Sequence, residues 1–224
     1  MKFKVVGIGG VGCSLLKTLP QFLAFRFSDA EVTLIDRDEF EPQNRDRQSD
    51  AISGNKAEVM AGILREQWPE LWFGAASVFL TQENIVSLVR EEDIVFLCVD
   101  NHATRKLASD RCQELGDVLL ISGGNEYTDG NIQVFQKKAG ENITPPLDNK
   151  FHPEILVPSD RNPGEAGCER LARSEPQLLI TNNAVATAML NAFYGFLEGS
   201  LDYDEVYIDI LTNNTRRVKR ENVG

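Results

Sequence analysis

The chain has 224 residues, 42% of them hydrophobic and 25% charged, which is enough to bury one sizeable core and too few for two. Asp and Glu number 34 against 23 Lys and Arg, a net charge of -11 that disfavours nucleic-acid binding unless the basic residues gather on one face. No apolar run approaches the roughly 18 residues of a membrane span, and Met1 leads straight into Lys2-Phe3-Lys4-Val5-Val6 with no basic-then-apolar leader, so a cytoplasmic protein that engages neither membrane nor nucleic acid is expected.

Lys2 to Ile8 reads as an apolar strand that enters the turn Gly7-Ile8-Gly9-Gly10-Val11-Gly12, and apolar residues then recur at helical spacing through Phe25. Val32 to Ile35 reads as a buried parallel strand ending at Asp36. The charged stretch from Arg37 to Asp50 has no period and reads as a functional loop. A helix over Gly54 to Trp68, a strand over Ala75 to Leu80, a short helix over Gln82 to Arg90 and a buried strand over Asp93 to Val99 follow. Next come a helix over Asn101 to Leu115, a strand over Val118 to Ser122 and, past the turn Thr128-Asp129-Gly130, a strand over Asn131 to Phe135. Residues 138–175 hold prolines, glycines and asparagines without apolar period, an irregular segment inside what reads as a single domain over 1–224. Pro176 then opens a helix to Leu197, and Val206 to Leu211 with Arg216 to Lys219 close the chain as a strand pair. Strands alternating with helices imply an α/β fold. It would be doubly wound and Rossmann-like, with a mostly parallel central sheet and helices on both faces, because parallel strands need crossover connections.

Gly7, Gly9 and Gly12 fit G-x-G-x-x-G, which lets phosphate approach backbone N–H groups at a helix start, and Asp36 stands where a carboxylate accepts from ribose hydroxyls. Nucleotide binding follows, with the nucleotide left open. The same residues suit an NAD-dependent oxidoreductase, although the sequence offers no clear acid–base residue for hydride transfer.

Four separated motifs choose between nucleotides. In order they are Leu34-Ile35-Asp36-Arg37-Asp38, Asn44-Arg45-Asp46-Arg47-Gln48, Gly54-Asn55-Lys56-Ala57 and Asp100-Asn101-His102-Ala103-Thr104-Arg105. Together with the extra glycine, Gly10, they resemble the signature of the ThiF/MoeB/HesA family, bacterial relatives of ubiquitin-activating enzymes. The resemblance continues through Ser122-Gly123-Gly124, Gly130-Asn131-Ile132-Gln133-Val134-Phe135 and the helix after Pro176. It implies ATP-dependent adenylation of the C-terminal carboxylate of a small ubiquitin-like or sulfur-carrier protein by a homodimer.

That chemistry needs cations and Mg²⁺ against the charge developing on the phosphates rather than a covalent nucleophile. Arg47 and Lys56 would supply the cations, and Asp100, at the carboxyl edge of the sheet, would hold Mg²⁺. Asp36 would hold the ribose, Asp38 and Asn44 would line the nucleotide pocket, and Gln48 would support the phosphate end. Each has a plainer reading: a solvated charge run for Arg45, Asp46 and Arg47, an ordinary first-turn lysine for Lys56, and a helix N-cap for Asp100. Family spacing makes Cys168 a crossover-loop cysteine that takes the activated group in some members, and Arg170 and Arg173 would favour its thiolate. Cys13 and Cys98 read as packed core thiols, and Cys112 sits on a helix without an acid–base neighbour.

Three features depart from the family. No helix precedes the first strand, where relatives carry an arginine that reaches the partner subunit's ATP site. The stretch from Arg47 to Lys56 is short. The paired CxxC motifs of zinc-bearing members are missing, so no zinc is expected. The two histidines, His102 and His152, have no metal-ligand spacing, and no G-x-S-x-G elbow supports a hydrolase. An inactive nucleotide-binding scaffold that recruits a partner protein stands as a third reading.

Overall fold

Five short apolar runs form the parallel part of one sheet. They are β1 (Lys2–Val6), β2 (Glu31–Ile35), β3 (Trp72–Ala76), β4 (Asp93–Leu97) and β5 (Val118–Asn125), lying in the order β3-β2-β1-β4-β5. The computed structural model describes residues 1–40, 53–163 and 178–220. Asn44, Arg45, Asp46, Arg47, Gln48, Cys168, Arg170, Arg173 and Pro176 lie outside the described residues. The sheet continues antiparallel through β6 (Asp129–Lys138), β8 (Glu205–Asp209) and β9 (Asn214–Val218), and the short β7 (Glu141–Asn142) also pairs with β6.

Alternation along each strand splits the core in two. Phe3, Val5, Ile94 and Phe96 face α1 (Gly10–Leu16), α2 (Leu19–Arg26), α3 (Lys56–Gln67) and α7 (Leu179–Leu197). Val6, Val95 and Leu97 face α4 (Ile85–Leu88), α5 (His102–Glu114) and α6 (Pro153–Leu156). Both faces are therefore covered, which is why β4 is apolar at nearly every position rather than alternating. On the first face Phe193 of α7 meets Phe3, Phe22 and Phe96 edge-on, with ring centroids 5.5, 5.9 and 5.7 Å away.

The structure corrects four expectations from the sequence. The helix expected through Phe25 is two helices, because Pro20 has no N–H to donate and its ring would meet the Leu16 carbonyl, so α1 stops at Leu16 and α2 takes Pro20 into its first turn. The strand expected over Ala75 to Leu80 runs instead from Trp72 to Ala76: it is an edge strand whose extent is set by its single neighbour, ending where Ile35 pairs with Ala76. Just beyond it, Ser77 turns to donate to Glu58 of α3 at 2.6 Å. Over Gln82 to Arg90 only a single turn, α4, is helical. Strand β6 runs on through Lys138, so the segment expected to be irregular begins as ordered sheet and also contains β7 and α6.

Phe193→Ala should leave a cavity at the junction of three aromatic contacts and lower the unfolding free energy by about 3–5 kcal/mol, measured by urea titration.

Candidate functional site

The strand order reverses between β1 and β4, and open α/β sheets bind ligands at the carboxyl ends of strands flanking such a reversal. The glycine turn sits there. Gly7 lies in the left-handed region at φ +88°, and a Cβ on it would press on the Cys98 carbonyl. A Cβ on Gly12 would overlap the Gly7 carbonyl oxygen, and one on Gly10 would overlap the Asn182 carboxamide from α7. A Cβ on Gly9 would meet nothing within 4 Å. Packing within the protein therefore demands three of the four glycines, while Gly9 presents the open side.

The end of β2 is bound tightly to this turn. One oxygen of the buried Asp36 carboxylate accepts from Ile8 N–H at 2.6 Å, and the other accepts from Asp38 N–H at 2.8 Å. Burial raises the Asp36 pKa, opposed by the Lys56 charge and by those two amides. The step into α3 is clamped onto the same residues. Asn55 caps α3 by accepting from Glu58 N–H at 3.1 Å, and its amide donates to the carbonyls of Asp36 at 2.9 Å and Asp38 at 3.2 Å. Lys56, the first helical residue, is buried, and its ammonium lies 3.4 Å from the exposed Asp38 carboxylate. A lysine there opposes the helix dipole, so its placement depends on the acidic residues beside it. The positions expected from sequence, Asp36, Asp38, Lys56 and the glycine turn, thus come together. Asn55 is the site residue that motif reasoning misses, although an Asn followed three residues later by Glu is a readable cap signal.

Asp100 follows β4 on the other side of the reversal. Its plainer reading as a helix cap fails: Asn101 caps α5, its side-chain oxygen accepting from Thr104 N–H at 2.8 Å. Asp100 is exposed and takes part in no hydrogen bond or ion pair among the described residues. The first amides of α5 are taken by Asp160, which accepts from His102 N–H at 2.7 Å and Ala103 N–H at 2.8 Å. Among the described residues no group of three or more His, Cys, Asp or Glu side chains is placed to hold a metal ion. A lone accessible carboxylate suits Mg²⁺, which keeps several waters and draws its remaining oxygens from substrate phosphates.

Cys13, Cys98 and Cys112 are buried, and burial pushes each thiol up to about 12, which leaves them protonated and inert. His152 sits between two carboxylates, Nδ1 at 2.8 Å from Glu154 and Nε2 at 2.7 Å from Glu205. Carboxylates only accept, so both ring nitrogens carry hydrogen and the ring is a cation. Burial alone would lower its pKa, but the bonds to Glu205 and Glu154 outweigh that and raise it. Close by, Arg220 pairs with Asp204 at 3.2 Å and donates to the carbonyls of Val134, Pro145 and Pro146, tying the last strand to the segment before α6. Glu205 lies 53 residues from His152 and Val134 lies 86 from Arg220, so local spacing gives no sign of this network. Among the described residues no helix is long and apolar enough to cross a membrane.

The ThiF family model matches residues 1–222. The adenylyltransferase and sulfurtransferase MOCS3 of Drosophila sechellia is 34% identical over 135 residues, which is 58% of this chain and 28% of that protein. The SUMO-activating enzyme subunit uba-2 of Caenorhabditis elegans is 29% identical over 165 residues, 70% of this chain and 27% of that protein. This chain therefore spans less than a third of either relative. A crystal structure of E. coli MccB with ATP superposes with a TM-score of 0.74 at 18% identity, covering 99% of this chain and 65% of that one, a likeness of fold.

Gly12→Ala should lower thermal stability sharply, since backbone must move to admit the methyl, whereas Gly9→Ala should leave the melting temperature within about 2 °C of the parent. Equal losses in the two variants would contradict the packing account. The His152 cation stabilises the fold fully below its unfolded pKa of about 6.5 and loses that contribution as the pH rises through its raised native value. The stability gap between the parent and His152→Phe should therefore narrow between neutral and alkaline pH in chemical denaturation.

Proposed function

The chain belongs to the ThiF family, and we propose from that premise that it uses ATP to adenylate the C-terminal carboxylate of a small ubiquitin-like or sulfur-carrier protein. A homodimer working in the cytoplasm belongs to the same reading. The observation that carries it is the juxtaposition at the strand reversal: an open face at Gly9, the clamped Asp36 with the Asp38–Lys56 ion pair on one side, and the accessible Asp100 on the other.

In the reaction a carboxylate oxygen attacks the α-phosphorus of ATP, an acyl–phosphate bond forms, and the bond to pyrophosphate breaks. No proton needs to move at that step, so catalysis consists of placing reactants and balancing charge. In this reading the Gly9 turn admits the phosphates, Asp36 accepts from the ribose, and Asp38 and Asn44 line the nucleotide pocket. Lys56 and Arg47 face the charge gathering on the leaving pyrophosphate, and Gln48 supports that end. Asp100 would hold Mg²⁺, which when bound neutralises phosphate charge. Cys168 takes the acyl group onward: its thiolate attacks the adenylate carbonyl, a thioester forms and AMP leaves. Lys56 is already paired with Asp38, so arriving phosphate competes for a cation the fold has positioned.

Pyrophosphate exchange into ATP, assayed with small proteins ending in Gly-Gly, should depend on the carrier. Asp100→Asn is expected to keep the fold and lose about 10²-fold or more of exchange. Arg47→Ala should slow exchange more than it weakens ATP binding by calorimetry. Cys168→Ala should retain exchange and lose any thiol-reducible adduct. Calorimetric binding of NAD in preference to ATP would favour an oxidoreductase, and ATP binding without exchange on any carrier would favour a scaffold.

A further inference from the structure

The chain is acidic overall, yet four of its cations, Arg216, Arg217, Lys219 and Arg220, fall within five residues with no carboxylate among them. Arg220 is buried against Asp204, whereas the other three stay exposed along β9 and just past its end. Together with Asp202, Tyr203 and Asn214 they line a groove of about 480 Å³ against the strand. Its one carboxylate, Asp202, lies 2.9 Å from Arg217, whose guanidinium also stands over the Tyr203 ring, 5.7 Å from the centroid. That ion pair is exposed at both ends, so it is weak and free to exchange partners. Arg216 and Lys219 form no ion pair among the described residues.

Strand β9 is the last of the sheet and pairs only with β8 among the described residues, in a register that runs from Asp209 and Asn214 to Glu205 and Val218 without a bulge. Alternate residues of such an edge strand turn their N–H and C=O groups away from the sheet. Among the described residues no side chain bonds to the backbone of residues 214–218. The opposite edge is blunted: Arg65 of α3 donates to the Phe73 carbonyl of β3 at 2.7 Å, and the Trp72 ring lies where a Cβ on Gly74 would be. Charge on an edge strand guards against self-association. Two copies meeting at β9 would bring arginines against arginines, and facing like charges are destabilising. A strand of opposite charge escapes that penalty, so the residues that reject a second copy select an acidic partner.

We propose that β9 is a docking edge for an extended acidic segment of a partner protein, which adds to the nine-stranded sheet as a further strand. Backbone pairing supplies the affinity, and alternation sets which side chains meet. Arg217 pairs with Val206 and so belongs to the α7 face, with Lys219 two residues on, whereas Val218 pairs with Glu205 on the other face. A segment that alternates Glu or Asp with an apolar β-branched residue therefore brings carboxylates to the arginine row and apolar groups to Val218. The edge lies four strands beyond β4, about 19 Å from the strand reversal, so docking here is separate from nucleotide binding and does not depend on the adenylation reading.

The test is calorimetry with a capped eight-residue peptide that alternates glutamate with valine, and amide hydrogen exchange to locate it. The parent should bind with a Kd below about 1 mM, and exchange should slow over residues 214–218. The double variant Arg217→Glu with Lys219→Glu should weaken binding at least tenfold and turn the preference toward a lysine–valine peptide. Both changes are on the surface, so its melting temperature should stay within about 2 °C of the parent. Of two glutamate–valine peptides, one N-methylated at every glutamate and one at every valine, a single one should lose binding at least tenfold, since a strand pairs with an edge along one side only. Binding weaker than about 1 mM, equal binding of the acidic and basic peptides, or equal binding of the two methylated ones overturns the proposal. So does protection of residues 214–218 that is complete before peptide is added, which would show the edge already filled. A dimer in sedimentation that the double variant dissolves would make β9 a contact between copies, and an oligouridine that binds more tightly than the peptide would make it a nucleic-acid surface; either result also overturns it.

Discussion

The buried Asp36 carboxylate holds the glycine turn in register with the next strand, and the geometry of the site depends on it. Through Ile8 N–H it fixes the turn after β1, and through Asp38 N–H it fixes the residues leaving β2. Asn55 then ties the start of α3 to the backbone carbonyls of the same two residues by its amide, so three chain segments far apart in sequence meet at Asp36 and Asp38. Burial raises the pKa of this carboxylate, and the nearby lysine and the convergent amides oppose that rise. A glutamate would place its oxygens one carbon further out and could not serve both amides from the same strand end.

That constraint explains why this part of the site is legible in the amino-acid sequence. A strand, a glycine turn, a second strand ending in Asp and a lysine at a helix start are each local patterns, and local patterns are what sequence periodicity records. Periodicity fails where the deciding partner is distant or sits on the backbone. The extent of β3 follows from where β2 ends, and the break at Pro20 from a carbonyl four residues earlier. Asp100 and Asn101 are equally good caps by composition, and only the backbone geometry at the start of α5 selects Asn101. His152 looks ordinary in sequence because Glu205 lies 53 residues away. The roles given to Asn44, Arg47, Gln48 and Cys168 continue to rest on motif spacing.

The two faces of the sheet serve different ends. On the α7 side the strand residues are apolar throughout and the aromatic cluster around Phe193 locks helix to sheet. On the α5 side the apolar layer gives way, from β5 across the antiparallel strands β6 and β8, to Ser122, Gln133 and Glu205, with Arg105 and His152 over them. The second group divides again by whether its members are satisfied. His152, Glu205, Asp204 and Arg220 pair with one another and anchor the chain, whereas Ser122, Gln133 and the Arg105 Nε have no partner among the described residues.

Unsatisfied buried polar atoms occur on both faces, at Ser14 and Asn182 on the α1 and α7 side and at Ser122 and Gln133 on the other. The Arg105 guanidinium stands between the paired and the unpaired groups: its Nη2 donates to the carbonyls of Val99 and Gly123 and the charges of Asp100, Asp160 and Glu154 favour its own, while its Nε has no partner among the described residues. The Ser122-Gly123-Gly124 motif then has a physical meaning along its whole length. Ser122 is buried on the α5 face opposite Gln133, Gly123 lets Met189 and Val185 of α7 approach the other face, and Gly124 gives Arg105 its place. One tripeptide thereby joins the packing of the core to the electrostatics of the site.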